Sequence, residues 1–352
     1  MAYTTIDDPS AHFQVDLYTG QGNGTVITND GNSNLQPDLV WFKRRGALGY
    51  HQIVDSSRGG TKRLWANDDG AEGTGSQIAS FDSDGFTCGS ATDLAPADTC
   101  VAWQWKANGG TRTTNTESGN NPAGGYQANT TAGFSIVDYT GTGSAGTMAH
   151  GLGSVPHWII FKSRSEASNN WAVYHHRNTA APETDFLRLD TNDATTDNVN
   201  FINDTAPTSS VFTVNTGSKV NSDGETYIAY VWREVQGFSK FGQYYGNGNA
   251  EGPFVYTGFK PAWVVVKKTS ATHSWYTQYQ GQADGPRNPV KFSLTLDNPQ
   301  VDISENSMDF LSNGFKLRTS GNGHNTNDAT YAYAAFAESP FVTANGAPGV
   351  AG

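Results

Sequence analysis

The sequence predicts an all-β chain folded as three tandem antiparallel β-sandwiches of jelly-roll-like type. Three observations carry that expectation: a composition poor in helix formers, a spacing pattern that occurs three times, and short apolar runs separated by turn residues. Charged residues make up only 16% of the 352, aromatics reach 12%, and 40 glycines lie among dense Thr, Asn, Ser and Asp. Few stretches hold the Ala, Leu, Glu, Lys and Arg that favour helix, whereas β-branched and aromatic runs between Gly, Asn, Asp and Pro read as strands.

Each unit opens on a phenylalanine (Phe13, Phe134, Phe238) and a strand that runs into a glycine motif, "YTGQG" at Tyr18, "YTGTG" at Tyr139 and "YYGNG" at Tyr244. Such glycines resemble a phosphate loop, but that loop needs a helix directly behind it so that the helix N-terminus faces the anion. Here polar sequence and another strand follow, so the glycines are expected to turn the chain with positive φ.

A proline-led apolar run comes next: "PDLVWFK" from Pro37, "PHWIIFK" from Pro156 and "PAWVVVK" from Pro261, lying 24, 22 and 23 residues after the opening phenylalanines. Four consecutive apolar residues imply a strand covered on both faces, by a second sheet on one side and another layer or neighbouring unit on the other. Proline opens the strand, where a missing N–H costs least. The lysine at its end is expected to reach water along its stem. Tyr50, Trp171 and Trp275 then lie 13, 15 and 14 residues beyond the prolines.

Segments centred on Phe86, Phe212 and Phe315 precede closing strands "CVAWQWKA", "YIAYVWRE" and "YAYAAFAE", whose aligned Trp105, Trp232 and Phe336 follow those phenylalanines by 19, 20 and 21 residues. Recurrence of this kind marks a repeat architecture. The units are expected at 12–106, 133–236 and 237–341, with a Gly/Thr/Asn-rich linker at 107–132 and a tail at 342–352. Because only Val235 to Gly237 separate the second and third units, those two are expected to pack rigidly and the first to be freer.

Charge and cysteine content exclude several classes. The net charge is −11, with no basic cluster beyond Lys43-Arg44-Arg45 and Lys267-Lys268, so a nucleic-acid footprint is missing. No apolar run has the length of a membrane span, and the start lacks the parts of a signal peptide. The two cysteines, Cys88 and Cys100, read as buried thiols of a reducing compartment.

No catalytic grouping stands out, and no cofactor is expected. His175 and His176 are adjacent and point to opposite faces of a strand, and no His or Cys cluster has zinc spacing. Asp82 and Asp84 in "FDSDGF" have the alternation that can curl around calcium. A turn is the better reading, because the aligned third copy "LSNGF" lacks both acids. Among the nine tryptophans, Trp105, Trp158, Trp232 and Trp263 fall at recurring strand centres, where core residues belong. Trp65, in the polar segment "TKRLWANDDG", has no aromatic counterpart and is the first candidate for an exposed glycan contact. Tyr126, in the expected linker, ranks next.

The opening "MAYTTIDDPSAHFQ", the "YTGQGNG" and "NDGNSNLQPDLVWFK" that follow, and the ending "YAYAAFAESPF" resemble a family of uncharacterised repeat domains. That family occurs in virion proteins of marine and aquatic tailed phages, and the resemblance covers nearly the whole chain. It implies a structural protein on the particle surface: a tail fibre, a receptor-binding appendage or a capsid decoration. Such a protein is made in the host cytoplasm and released by lysis. The family supplies no catalytic motif to carry over. Neither a trimerising coiled coil nor a β-helical shaft is visible, which argues against a fibre shaft. Docking and display without catalysis are therefore expected, with other virion proteins and a host surface glycan as partners, and a homo-oligomer, by analogy a trimer. The rivals are a carbohydrate-active depolymerase and a free glycan-binding module.

Overall fold

The computed structural model describes residues 2–91, 98–115, 119–280, 288–290 and 292–349. Residues 116–118 of the expected linker and 350–352 of the expected tail therefore lie outside the described residues. The fold is all-β, and each sandwich sets a large antiparallel sheet against a small one. In the first, Phe13–Thr19, Thr99–Trp105, Leu39–Arg44, Gln52–Asp55, Lys62–Trp65 and Gly73–Thr74 lie in that order, facing the small sheet Val26–Ile27, Gly85–Cys88 and Ile78–Asp82. The order of first strand, closing strand and proline-led strand is the same in the other two large sheets. It runs Phe134–Thr140, Thr226–Trp232 and Trp158–Ser163 in the second, and Ser239–Tyr245, Thr330–Pro340 and Phe259–Lys268 in the third. The sandwiches are lopsided, six or eight strands against two or three, where a jelly roll divides eight strands evenly.

The doubly apolar strands have the cause that their sequence requires. Along Leu39–Arg44, Val40 and Phe42 pack inside the first sandwich with Phe86, Cys88 and Cys100. Leu39 and Trp41 face the other way, into a core shared by all three sandwiches. Trp158–Ser163 divides likewise, Ile159 and Phe161 inward and Trp158 and Ile160 toward the shared core. At its centre the rings of Trp105, Trp232 and Phe336 meet pairwise at 5.8, 5.5 and 6.5 Å, one ring from each closing strand. The indole N–H groups of Trp103, Trp105, Trp158, Trp232 and Trp263 find no hydrogen-bond acceptor there, a cost that ring-to-ring packing must exceed.

A first sandwich freer than the others is therefore not what forms. Each sandwich is stitched to both others in cyclic order. The Trp171 indole of the second donates to the Trp65 carbonyl of the first at 2.9 Å. Trp275 of the third donates to Arg188 of the second at 2.7 Å, and His51 of the first donates to Thr295 of the third at 2.9 Å. The position matching Trp171 and Trp275 is thus His51, not Tyr50. The register agrees, since Phe42, Phe161 and Val266, each five residues past its proline, pair with Gln52, Ala172 and Tyr276.

The lysines closing the proline-led strands do not reach water. Lys43, Lys162 and Lys267 are fully buried, and each ammonium donates across a junction to a backbone carbonyl, of Pro299, Asp69 and Asn192 respectively, at 3.5, 3.0 and 3.1 Å. Burial pulls all three down to about 8.

The expected linker also takes a different form. Thr113–Asn115 and Gly124–Asn129 are strands that extend the second large sheet from its Phe134–Thr140 edge. Backbone pairing holds them, together with burial of alternate residues, Tyr126 and Ala128 on the core of the second sandwich and Gln127 against the first. In the glycine motifs only the second glycine has positive φ, +65° at Gly143 and +64° at Gly248. The first makes a close approach instead: a Cβ on Gly141 or Gly246 would sit 2.1 or 2.0 Å from the carbonyl oxygen of Ser222 or Thr326. These turns carry the chain from the large sheet to the small one. Buried Asn221 and Asn325 hold them, accepting from Thr142 and Asn247 N–H at 2.8 Å.

Candidate functional site

The polar groups gathered at the junctions are candidates for chemistry, and their geometry shows what occupies them. Between the first and second sandwiches, the Arg58 guanidinium is buried and donates to Asp55 at 2.6 Å, Glu72 at 3.1 Å and the Tyr230 hydroxyl at 3.1 Å. Tyr230 in turn donates to Asp55 at 2.7 Å, and Arg164 clasps Glu72 through two nitrogens at 2.9 and 3.1 Å. Every charge there has an opposite partner, as burial of ions demands. Between the third and first, Arg45 donates to Asp302 at 2.7 Å and to the Tyr279 hydroxyl at 3.1 Å.

Histidines serve the second junction. His175 donates to the Tyr333 carbonyl at 3.0 Å and His176 to that of Phe241 at 2.6 Å. His157 and His176 stand edge-on at 4.5 Å, and His157 accepts from the Glu234 N–H at 3.0 Å. Burial holds His157 at about 4 and His175 at about 3. The side chains of His175 and His176 do go to separate partners. Among the described residues no group of three or more His, Cys, Asp or Glu could hold a metal ion.

The singled-out acids are likewise tied down. Asp82 accepts the Ser80 and Thr87 hydroxyls at 2.6 and 2.7 Å, while Asp84 accepts the Leu35 N–H at 3.1 Å. Asp82 pairs with Gly85 at the end of a hairpin, so this segment is a turn whose carboxylates fasten neighbouring chain. Cys88 and Cys100 are buried free thiols, pushed up by burial to about 12 and about 11, which removes the thiolate that reactivity requires. A cavity bounded by Phe186, Phe201 and Lys219 holds about 70 Å³, well below the several hundred of a ligand pocket.

Trp65 is half-buried rather than free. Its ring lies 5.3 Å from that of Tyr50, with the Arg63 guanidinium 4.8 Å from its centroid. The more exposed ring of the pair belongs to Tyr50, 47% accessible. Trp65→Ala should therefore cost about 1 kcal/mol through lost packing, less than a buried tryptophan. Equilibrium denaturation of that variant beside Trp158→Ala checks the order. Tyr126 is also half-buried, packing on the core of the second sandwich, and a Cβ on Gly151 would lie 2.1 Å from its ring. It braces a strand and does not hang from a linker.

Sequence reasoning missed the outer face of the third sandwich. Phe254 and Tyr256 flank buried Val255 on the edge strand Phe254–Tyr256 and stand outward, 46% and 53% exposed. Tyr3 joins them, its hydroxyl 3.1 Å from that of Tyr256 and donating to the Gly258 carbonyl at 2.8 Å. Phe341 meets Tyr3 edge-on at 6.5 Å. The run "PFVYTGF" shows this aromatic alternation, but the parity that faces solvent is set by the sheet beneath.

Fold and sites together define a class: tandem β-sandwiches closed about one aromatic core, with their buried polar groups committed to bracing. The chain belongs to the family described as "Domain of unknown function (DUF7483)", whose family model matches residues 8–340 and so spans all three sandwiches. No curated protein matches it. Among solved structures, one described as "Crystal Structure of the STIV MCP" aligns at 9% identity over 66% of this chain and 92% of that chain, with a TM-score of 0.18. That likeness is too low to bear on fold or function.

Proposed function

We propose that this chain is a structural protein of a tailed-phage particle, displayed on its surface as a tail appendage or capsid decoration, and that it acts by docking without catalytic turnover. One observation carries the reading. The residues best suited to chemistry, Asp55, Arg58, Glu72, Arg164, His175 and His176, hold sandwich to sandwich at buried junctions. A binding role remains for the outer faces. The sequence resemblance supports the location, and the net charge of −11 suits an exterior that resists unspecific adhesion. Because the three inward faces are covered within one chain, a homo-oligomer would assemble through outer faces.

Antibody labelling of intact virions tests the proposal. Label on the particle, with no steady release of reducing ends from host polysaccharide, is the expected result. Sustained cleavage of a host glycan would overturn it in favour of a depolymerase.

A further inference from the structure

We propose that the outer face of the third sandwich binds a neutral glycan, stacked on Tyr256 and Phe254. The argument begins with a comparison among the three small sheets. Ile27, Met148 and Val255 occupy one inward position, opposite Phe86, Phe212 and Phe315. The residues before and after each face outward. They are Val26 and Thr28 in the first sandwich, Thr147 and Ala149 in the second, and Phe254 and Tyr256 in the third. The fold is satisfied at these places by side chains without a ring, Val26 and Thr28 standing exposed in the first sandwich. Two exposed rings on one strand, about 7 Å apart at strand spacing, are therefore not a packing requirement, and water-facing aromatic surface of this kind marks a binding site.

The rings are also held in place. Phe254 lies against Gly314, where an added Cβ would come within 3.1 Å of it, and the Tyr256 hydroxyl is fixed by Tyr3. Flat rings held beforehand lose little entropy when a ligand stacks on them. Beside them runs a polar rim. Lys316, the cross-strand partner of Phe254, lies 3.4 Å from Glu251. Arg318 reaches Glu251 at 3.2 Å and Asp309 at 2.5 Å. Two cations and two carboxylates cancel, so the rim favours neither a polyanion nor a polycation, while offering donors and acceptors to hydroxyl groups. Rings with a charge-balanced hydrogen-bonding rim match a neutral, hydroxyl-rich sugar chain. The inference gives the display reading its ligand, yet glycan binding by the purified protein would stand even if the protein proved absent from virions.

Affinity electrophoresis of the full chain in gels containing dextran, mannan, galactan or glycogen, with alginate as the acidic control, tests it. At least one neutral polysaccharide should retard the protein, with little dependence on salt. Tyr256→Ala and Phe254→Ala should weaken that retardation at least tenfold, Val26→Ala should not, and all three should keep the parent melting temperature. Should Tyr256→Ala fold poorly, Tyr256→Leu keeps the bulk, lacks the flat ring and should bind as weakly. Retardation by alginate alone, by no gel, or unchanged in the Tyr256 variants overturns the proposal. So does self-association in sedimentation that Tyr256→Ala abolishes, which would make the face a contact between copies.

Discussion

Trp263→Ala should destabilise the whole molecule, not the third sandwich alone. The Trp263 ring is fully buried and lies within 6.4 Å of the rings of Phe13, Trp41, Trp103, Trp105, Trp158 and Phe336. Those neighbours come from all three sandwiches. Truncating a large buried aromatic costs about 3–5 kcal/mol, by lost transfer energy and by the cavity left behind. Since the cavity opens where three sheets meet, no sandwich is insulated from it. Hydrogen exchange across the chain is the measurement: protection should fall together in the closing strands Thr99–Trp105, Thr226–Trp232 and Thr330–Pro340. Loss confined to the last of these would show that the shared core is not one cooperative unit.

Acid should unfold the protein from about pH 6.5 downward. Seven histidines receive an N–H donor on one ring nitrogen, which only a neutral ring accepts. His12 receives the Asn129 amide, His51 the Trp41 indole, His150 the Leu152 N–H, His157 the Glu234 N–H, His175 the Arg177 N–H, His273 the Ser274 N–H and His324 the Gln278 amide. Burial is the first cause that lowers each, to about 3 for His175 and His324. The unfolded chain binds these protons below about pH 6.5 and the folded chain does not, so stability is complete above that value and is lost as pH falls toward 3. At pH 4.5 the cost is about 2–3 kcal/mol each for His175 and His324. Asp16, raised by burial to about 7, works the other way between pH 7 and 4, as do Asp30, Asp190, Asp297, Asp302 and Glu305, which burial also raises. The Asp16 gain offsets about one histidine. Circular dichroism against pH should show cooperative unfolding between pH 6 and 4, and a native signal persisting at pH 4 would contradict the assignment of neutral rings.

Most of the architecture was legible because the signals were local. Trp158 to Phe161 are apolar at every position, so a strand covered on both faces followed from the sequence. What covers the outer face was not legible. Contacts such as Lys162 with Asp69 join residues 93 apart in the chain, and the lysine stem looks the same whether its ammonium ends in water or on a carbonyl. The same blindness made the first sandwich look detached and set Tyr50 where His51 belongs, since the spacing tolerates a shift of one residue and only the register decides. Thr113–Asn115 and Gly124–Asn129 escaped notice because Gly, Thr, Asn and Gln dominate them and only Tyr126 and Ala128 supply apolar packing. Of the surface candidates, Trp65 was recognised as unusual from its missing counterparts, but its partners Tyr50 and Arg63 come from the fold. Phe254 and Tyr256 were hidden inside an apolar run whose exposed parity is decided by the sheet below.

Quantitative mass spectrometry of gradient-purified phage particles tests the functional claim most directly. Display on the particle predicts peptides from the whole chain at a constant ratio to the major virion proteins through successive rounds of purification. A ratio that falls toward zero with each round, with the protein recovered only from the infected-cell lysate, would contradict it.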